Sequence, residues 1–303
     1  MNKSTNRRSF IRKATAGSGA LLAAGPMAAH SKSSLNSGNR LKIALNGYSF
    51  NGPLSAGHMD IDDMLQFCAD NGFYACDITA YYFPGYPEVP SDEYLYHVKH
   101  KAFSLGLEIS GTGVRNDFTD QDPAKRKEHV QLVKNWIIAA EKTGAPVIRV
   151  FAGARLEDES QRPQVLKWMI SDIKECAAFG KSHGVIVAVQ NHHDFILTPQ
   201  HARELIEGVN SEWFGLVIDT GGYRAGDPYK QIADSIKYAV NWQIKEKIFV
   251  DGEEQDTDFT KLAEVIKASD YRGYLPIEIL GPGDPKPKIM KLYKDLVAAL
   301  YPV

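Results

Sequence analysis

The sequence predicts an α/β fold, a single closed (β/α)8 TIM barrel. Three observations support it. Eight short β-rich runs alternate with helix-period runs between residues 41 and 303. Several of these runs are continuously apolar, as parallel strands covered on both faces must be. Eight such units in about 260 residues also match a barrel whose usual length is about 250. A doubly wound open sheet is the competing arrangement, but no G-x-G-x-x-G follows the first strand. No Pro/Gly-rich linker or shift of composition interrupts residues 41–303, so they read as one domain.

The elements follow in order. The chain opens Asn6-Arg7-Arg8-Ser9-Phe10-Ile11-Arg12-Lys13, continues with an Ala/Gly/Leu stretch over 14–24, and reaches small residues at Ala28 and Ala29. A basic region, a short apolar region and a small-residue cleavage zone have the layout of an export signal. The Arg7-Arg8 pair followed by Phe10 resembles the twin-arginine signal, which exports proteins already folded. Residues 1–30 are thus expected to be removed on export, and the mature protein to reside in the periplasm. Residues 31–40, rich in Ser, Gly and Asn, read as a flexible link. Strands are predicted at 42–45, 74–79, 107–111, 147–151, 185–190, 215–219, 239–245 and 274–280. Amphipathic helices lie between them, for example over 125–143 and 164–183. Gly184 is placed to end the second, and Pro199 and Pro228 sit near helix starts, where a missing N–H costs nothing.

Hydrophobic residues make up 44% and charged residues 24% of the chain, the balance of an ordinary globular protein. Lys and Arg number 35 against 37 Asp and Glu, a formal charge of −2. That lacks the cation excess needed to neutralise nucleic-acid phosphates, so nucleic acid is not an expected partner. Three cysteines, Cys68, Cys76 and Cys176, cannot build a disulfide framework. No apolar run approaches about 18 residues, so no membrane span is expected once the signal is gone.

In such a barrel the chemistry sits at the C-terminal ends of the strands and in the loops after them. The fifth strand ends Gln190-Asn191-His192-His193, the sixth Ile218-Asp219-Thr220-Gly221-Gly222, and the eighth Ile277-Glu278-Ile279, while the seventh carries Gln243, Lys245 and Glu246. Earlier strands contribute Asn46, Asp77 with Tyr81 and Tyr82, Arg115 with Asn116, and Arg149. Gln190, Asp219, Gln243 and Glu278 offer oxygens on successive strands, and such donors can converge on one divalent cation. Hard oxygen ligands favour Mn²⁺ or Mg²⁺, with Zn²⁺ or Co²⁺ tolerated. The bland alternative is an inward carboxylate satisfied by Arg149 or Lys245, since a charge among apolar neighbours demands a partner.

The layout resembles the sugar phosphate isomerase/epimerase family, the xylose-isomerase-like barrels, over roughly residues 41–302. Its most specific piece is the closing Tyr271-Arg272-Gly273-Tyr274 with Ile277-Glu278, and Trp242-Gln243-Ile244-Lys245-Glu246 stands where many members have His-x-Lys-Asp. The resemblance implies a metal bound by Gln190, Asp219, Gln243 and Glu278, and proton transfer next to a carbonyl. Two positions depart from the family pattern. Gln190 replaces a glutamate, and Gly222 stands where many members have a substrate-binding histidine. An amide keeps an oxygen ligand but cannot act as a base. The base must then be Glu278, His192, Lys245 or Glu246.

Glu278, Lys245 and His192 are accordingly expected to carry the chemistry, with Arg149, His193, Tyr81, Asn46 and Glu246 contacting substrate. Of the paired histidines only one should reach the mouth, and the resemblance favours His192. Lys245 lies two residues after Gln243, on the same strand face; it can face an enolate oxygen or a carboxylate, or pair with Glu278. Arg149 can hold a substrate oxygen or pair with Asp219. The aromatic run from Tyr81 to Tyr86 suits the apolar faces of sugar rings. Residues 251–256 read as a solvated acidic loop. The expected function is a periplasmic, metal-dependent isomerase, epimerase or lyase acting on an unphosphorylated sugar or keto-sugar. A non-catalytic sugar-binding barrel is the alternative, and a homo-oligomer is possible on either reading.

Overall fold

The structure, a computed structural model, describes residues 41–302; the expected signal at 1–30 and link at 31–40 lie outside the described residues. The chain runs through β1 (Lys42–Asn46), β2 (Ala75–Thr79), β3 (Glu108–Gly113), β4 (Val147–Phe151), β5 (Ile186–Gln190), β6 (Phe214–Asp219), β7 (Ala239–Lys245), a hairpin of β8 (Lys247–Val250) and β9 (Glu253–Asp256), and β10 (Tyr274–Glu278). All but the hairpin close into one parallel barrel in the order β1-β10-β7-β6-β5-β4-β3-β2. Every run read as a strand is one, with ends displaced by two residues at most.

The helices are α1 (Asn51–Ser55), α2 (Ile61–Asp70), α3 (Asp92–Ser104), α4 (Pro123–Thr143), α5 (Arg162–His183), α6 (Pro199–Val209), α7 (Pro228–Ser235), α8 (Phe259–Lys267) and α9 (Pro285–Leu300). Local chemistry fixes their ends. Pro199 and Pro228 are the first residues of α6 and α7, behind Thr198 and Asp227, whose side chains accept from the first free N–H groups. Gly184 closes α5 at φ 68°, a left-handed conformation that glycine adopts without cost.

The strands are buried on both faces, which explains their near-continuous apolar sequence. The outward face joins the main core beneath the helices, through residues such as Val150, Val187 and Ile218. The inward face carries a separate small cluster of Val147, Ala188 and Val217. Side chains repeat every second residue along a strand. Two positions beyond that apolar plug the same face therefore presents Arg149, Gln190 and Asp219. Register then sets the strand ends level: Asn46 pairs with Asp77, Asp219 with Gln243, and Glu278 with Lys245.

One expectation is corrected. Residues 251–256 are not an acidic loop: Asp251 (φ 50°) and Gly252 (φ 90°) form the turn of the β8–β9 hairpin, and only its outer strand is fully exposed. Asp-Gly is a strong two-residue hairpin signal, because both positions of that turn need positive φ.

Candidate active site

Asp219 ends β6, is 1% exposed, and is the most heavily bonded carboxylate at the barrel mouth. Its Oδ1 accepts from the Gly221 amide (2.9 Å). Its Oδ2 accepts from Gln190 Nε2 (2.7 Å) and from the ammonium of Lys245 (2.8 Å). The Gln190 amide also donates to Gln243 Oε1, while its own Oε1 is buried with no partner among the described residues. Backbone clamps hold this group still. Asn191 donates to the Asp219 carbonyl (3.0 Å) and accepts from the Asp219 amide (2.8 Å), tying β5 to β6. The Lys245 amide donates to Thr220 Oγ1 (2.9 Å), tying β6 to β7.

Burial alone would lower the pKa of Lys245. The charges of Asp219 and Glu278 and the hydrogen bond to Asp219 outweigh it and hold the ammonium above its ordinary range. Glu278, at the end of β10, is 4% exposed and has a buried carboxylate oxygen with no partner. Burial pushes its carboxyl up to about 7; Lys245 and Arg149 oppose the shift, and the charges of Asp219 and Asp77 add to it. Asp77 is likewise pushed up to about 6 by burial, against the charge of Arg149 and a hydrogen bond from Asn241 (3.1 Å).

Arg149 does not pair with Asp219. It donates to the Val114 carbonyl (2.6 Å) and to the Tyr81 hydroxyl, and its guanidinium lies 4.1 Å from the centroid of the Phe151 ring. Two glycines of β3 make room for these groups. A Cβ at Gly113 would come within 2.9 Å of the Arg149 guanidinium, and one at Gly111 within 2.6 Å of Asp77 Oδ2. Gly222 is closed in the same sense: a Cβ there would lie 1.6 Å from the Asn191 carbonyl oxygen. The histidine that the family pattern carries at this position therefore has no place in this backbone.

A cavity of about 370 Å³ opens over the group. Asn46, Tyr81, Arg149, Gln190, His192, Gln243, Lys245 and Glu278 all line it. Asp219 is not in the lining, because Lys245 and Gln190 lie against its outer oxygen. His192 stands 4.7 Å from the Phe151 ring, and burial drops its pKa to about 4, so the imidazole is neutral near pH 7. His193 turns away at φ 59° and is not in the lining, which corrects its expected contact with substrate. Glu246, one residue past the end of β7, is likewise absent from this lining. It borders instead a neighbouring cavity of about 300 Å³ that shares Lys245, Glu278 and Leu280 with the first and is bounded by Arg224 and the hairpin's Phe249 and Glu254.

Sequence reasoning missed Tyr48, Phe151 and Leu280 in the lining, and the bracing role of Asn191. Asn191 had a signal, as an amide directly after an apolar strand. Tyr48 and Leu280 lie in strand-end loops whose path the sequence does not give.

The resemblance implies a divalent cation, and the residues present do not fit one. The four expected ligands converge, but only Asp219 and Glu278 are anionic. Both Asp219 oxygens already receive N–H donors, one of them the Lys245 ammonium, and Gln190 turns its NH2 into the group. Among the described residues no set of three or more His, Cys, Asp or Glu side chains is arranged to hold a metal ion. The expected metal set is corrected accordingly: what the geometry joins is a carboxylate, two amides and an ammonium.

A family model described as the xylose isomerase-like TIM barrel matches residues 65–300. The chain belongs to that family. Among curated proteins, no sequence matches it. Solved structures share its fold at low identity. One is an L-ribulose 3-epimerase, with TM-score 0.70, 15% identity, and coverage of 86% of this chain and 94% of that one. Another is the IolI protein with a bound zinc atom, with TM-score 0.69, 16% identity, and coverage of 86% and 98%. A 3-keto-D-glucoside 4-epimerase from E. coli gives TM-score 0.65, 14% identity, and coverage of 85% and 99%.

Proposed function

We propose that this family member is an isomerase or epimerase of a free sugar or keto-sugar, working by proton removal next to a carbonyl. The observation that carries this reading is Glu278. It is a buried carboxylate with an unpartnered oxygen, in the lining of the cavity and pushed up to about 7. A base is most effective when its pKa lies near the working pH. The sugar's apolar faces would rest on Tyr48, Tyr81 and Phe151, and its hydroxyls would meet Arg149, Arg115 and Asn46. His192, neutral and beside the same cavity, is available to hydrogen-bond a hydroxyl in either tautomer. The epimerases among the structures of similar fold support the substrate class.

The test offers free aldoses, ketoses and 3-keto-sugars to the protein in deuterium oxide and follows incorporation of deuterium at carbon. Exchange that is lost in Glu278→Gln is the expected result. Binding of a sugar without exchange would instead identify a sugar-binding barrel, the reading favoured by the loss of the fifth-strand glutamate at Gln190. We further propose twin-arginine export to the periplasm, on the strength of Arg7-Arg8 and Phe10. Arg7→Lys with Arg8→Lys should leave the precursor in the cytoplasm, and normal periplasmic yield of that double variant would overturn the proposal.

A further inference from the structure

We propose that the Lys245 ammonium is the resident cation of this site and takes the part a divalent ion would play, so that the protein works without a metal. The inference rests on the sugar isomerase reading above for its chemistry, but its structural half stands alone. Three of the four side chains that would have to coordinate an ion, Gln190, Asp219 and Gln243, are instead bonded to one another, and Lys245 is bonded to Asp219. The ammonium lies 2.8 Å from Asp219 Oδ2, and Gln190 donates to that same oxygen from 2.7 Å and to Gln243 besides.

Seating a dication would take two changes at once. Lys245 would have to leave a buried carboxylate. The Gln190 amide would have to turn and give up two hydrogen bonds. The ion would then sit a few ångströms from an ammonium that repels it, with two anionic ligands where hard cations generally gather more. The glutamine on β5 leaves Asp219 and Glu278 as the two anionic groups among the four expected ligands, and the Lys245 ammonium balances the aspartate without an ion.

The position of Lys245 also suits the chemistry. It pairs in register with Glu278 across β7 and β10, and both line the same cavity. The Glu278 carboxylate takes the proton from the carbon next to the carbonyl: the C–H bond breaks and a carboxyl O–H forms. The C–H electron pair becomes the carbon–carbon π bond, and the carbonyl π pair moves onto oxygen. Lys245 donates an N–H hydrogen bond to that oxyanion, as a fixed donor aimed at developing charge. Return of the proton to the carbon regenerates the carbonyl, and no oxidant or reductant is consumed.

The experiment uses the full chain, purified without chelator. Metal content is measured, then Mn²⁺ and Zn²⁺ are titrated by calorimetry, and deuterium exchange is followed with and without EDTA. We expect far less than one equivalent of metal, no saturable Mn²⁺ or Zn²⁺ binding, and exchange indifferent to EDTA. Lys245→Met should lower exchange about 10²–10³-fold, as loss of an oxyanion donor does, and added Mn²⁺ should not restore it. One bound equivalent of metal, saturable binding that Asp219→Asn removes, or exchange lost to EDTA and returned by Mn²⁺ would overturn the proposal. The wild-type titration decides even if Lys245→Met does not fold. A chain that takes up no metal and exchanges no sugar keeps the ammonium as the site's cation and removes the isomerase reading, so the two failures are told apart.

Discussion

Glu278→Gln should stabilise the fold while abolishing turnover, and the two effects come from the same burial. The carboxyl is raised from an ordinary 4.5 to about 7, with desolvation as the largest cause. Between those two values the native state holds a proton that the unfolded chain has released. Stability conferred by the neutral form is therefore fully present below pH 4.5 and is lost as pH rises through about 7. At about 1.4 kcal/mol per pKa unit, ionised Glu278 costs the fold on the order of 3 kcal/mol above that pH. A glutamine has nothing to ionise but still buries an amide, so a net gain of about 1–3 kcal/mol is expected at pH 8. At pH 5 the wild-type side chain is itself neutral and the gain should vanish. Over the same substitution, deuterium exchange should fall about 10²–10⁴-fold, the usual contribution of a general base. Urea unfolding at pH 5 and pH 8 measures the first effect. A variant no more stable than wild type at pH 8, or equally stabilised at both pH values, would refute the argument that burial holds this carboxyl near neutrality.

Three further outcomes are expected. Trp136 is 1% exposed, packs against Phe83 and Tyr86, and donates from its indole to the Pro87 carbonyl (2.8 Å). Trp136→Ala should cost about 3–5 kcal/mol in chemical unfolding, and a loss below about 1 kcal/mol would contradict the packing described. Tyr81→Phe removes an acceptor from the Arg149 guanidinium, and should raise KM for the sugar about tenfold, the equivalent of about 1.4 kcal/mol, with little change in kcat. A collapse of kcat at unchanged KM would show Tyr81 acting in the chemical step. Cys68, Cys76 and Cys176 are free and buried, so Ellman's reagent should label none in the native protein and three in guanidinium; rapid native labelling would place at least one at the surface.

The barrel was legible because several of its strands are buried on both faces and stand out as apolar runs, and β5, β6, β7 and β10 end on polar residues. That pattern was enough to locate Gln190, Asp219, Gln243 and Glu278 on one rim. It did not reveal which of them touch. The contact between Lys245 and Asp219 depends on the register of β7 against β6, including a shift between Leu216 and Val217 that no periodicity encodes. Of the paired histidines only His192 is in the lining, as the one-at-the-mouth reading expected, and His193, at φ 59° just past the strand, is the one left out. The hairpin was misread through its composition: four acidic residues in six obscured the Asp-Gly turn between two short strands.

The contact between Gly222 and Asn191 bears on how this barrel can change by mutation. Position 222 lies close to the reacting groups, where a comparison of enzymes would lead one to expect the freest exchange of side chains. Here it admits none, because the carbonyl of the neighbouring loop occupies the space of the first carbon. A mutational scan should therefore score 222 as intolerant even to alanine, with loss of soluble protein instead of loss of activity. Reintroducing histidine by a single substitution would be a dead end. The loop at Asn191, which also grips both backbone groups of Asp219, would have to be remade first. With this loop in place, any side chain at 222 meets the Asn191 carbonyl before it can reach the cavity.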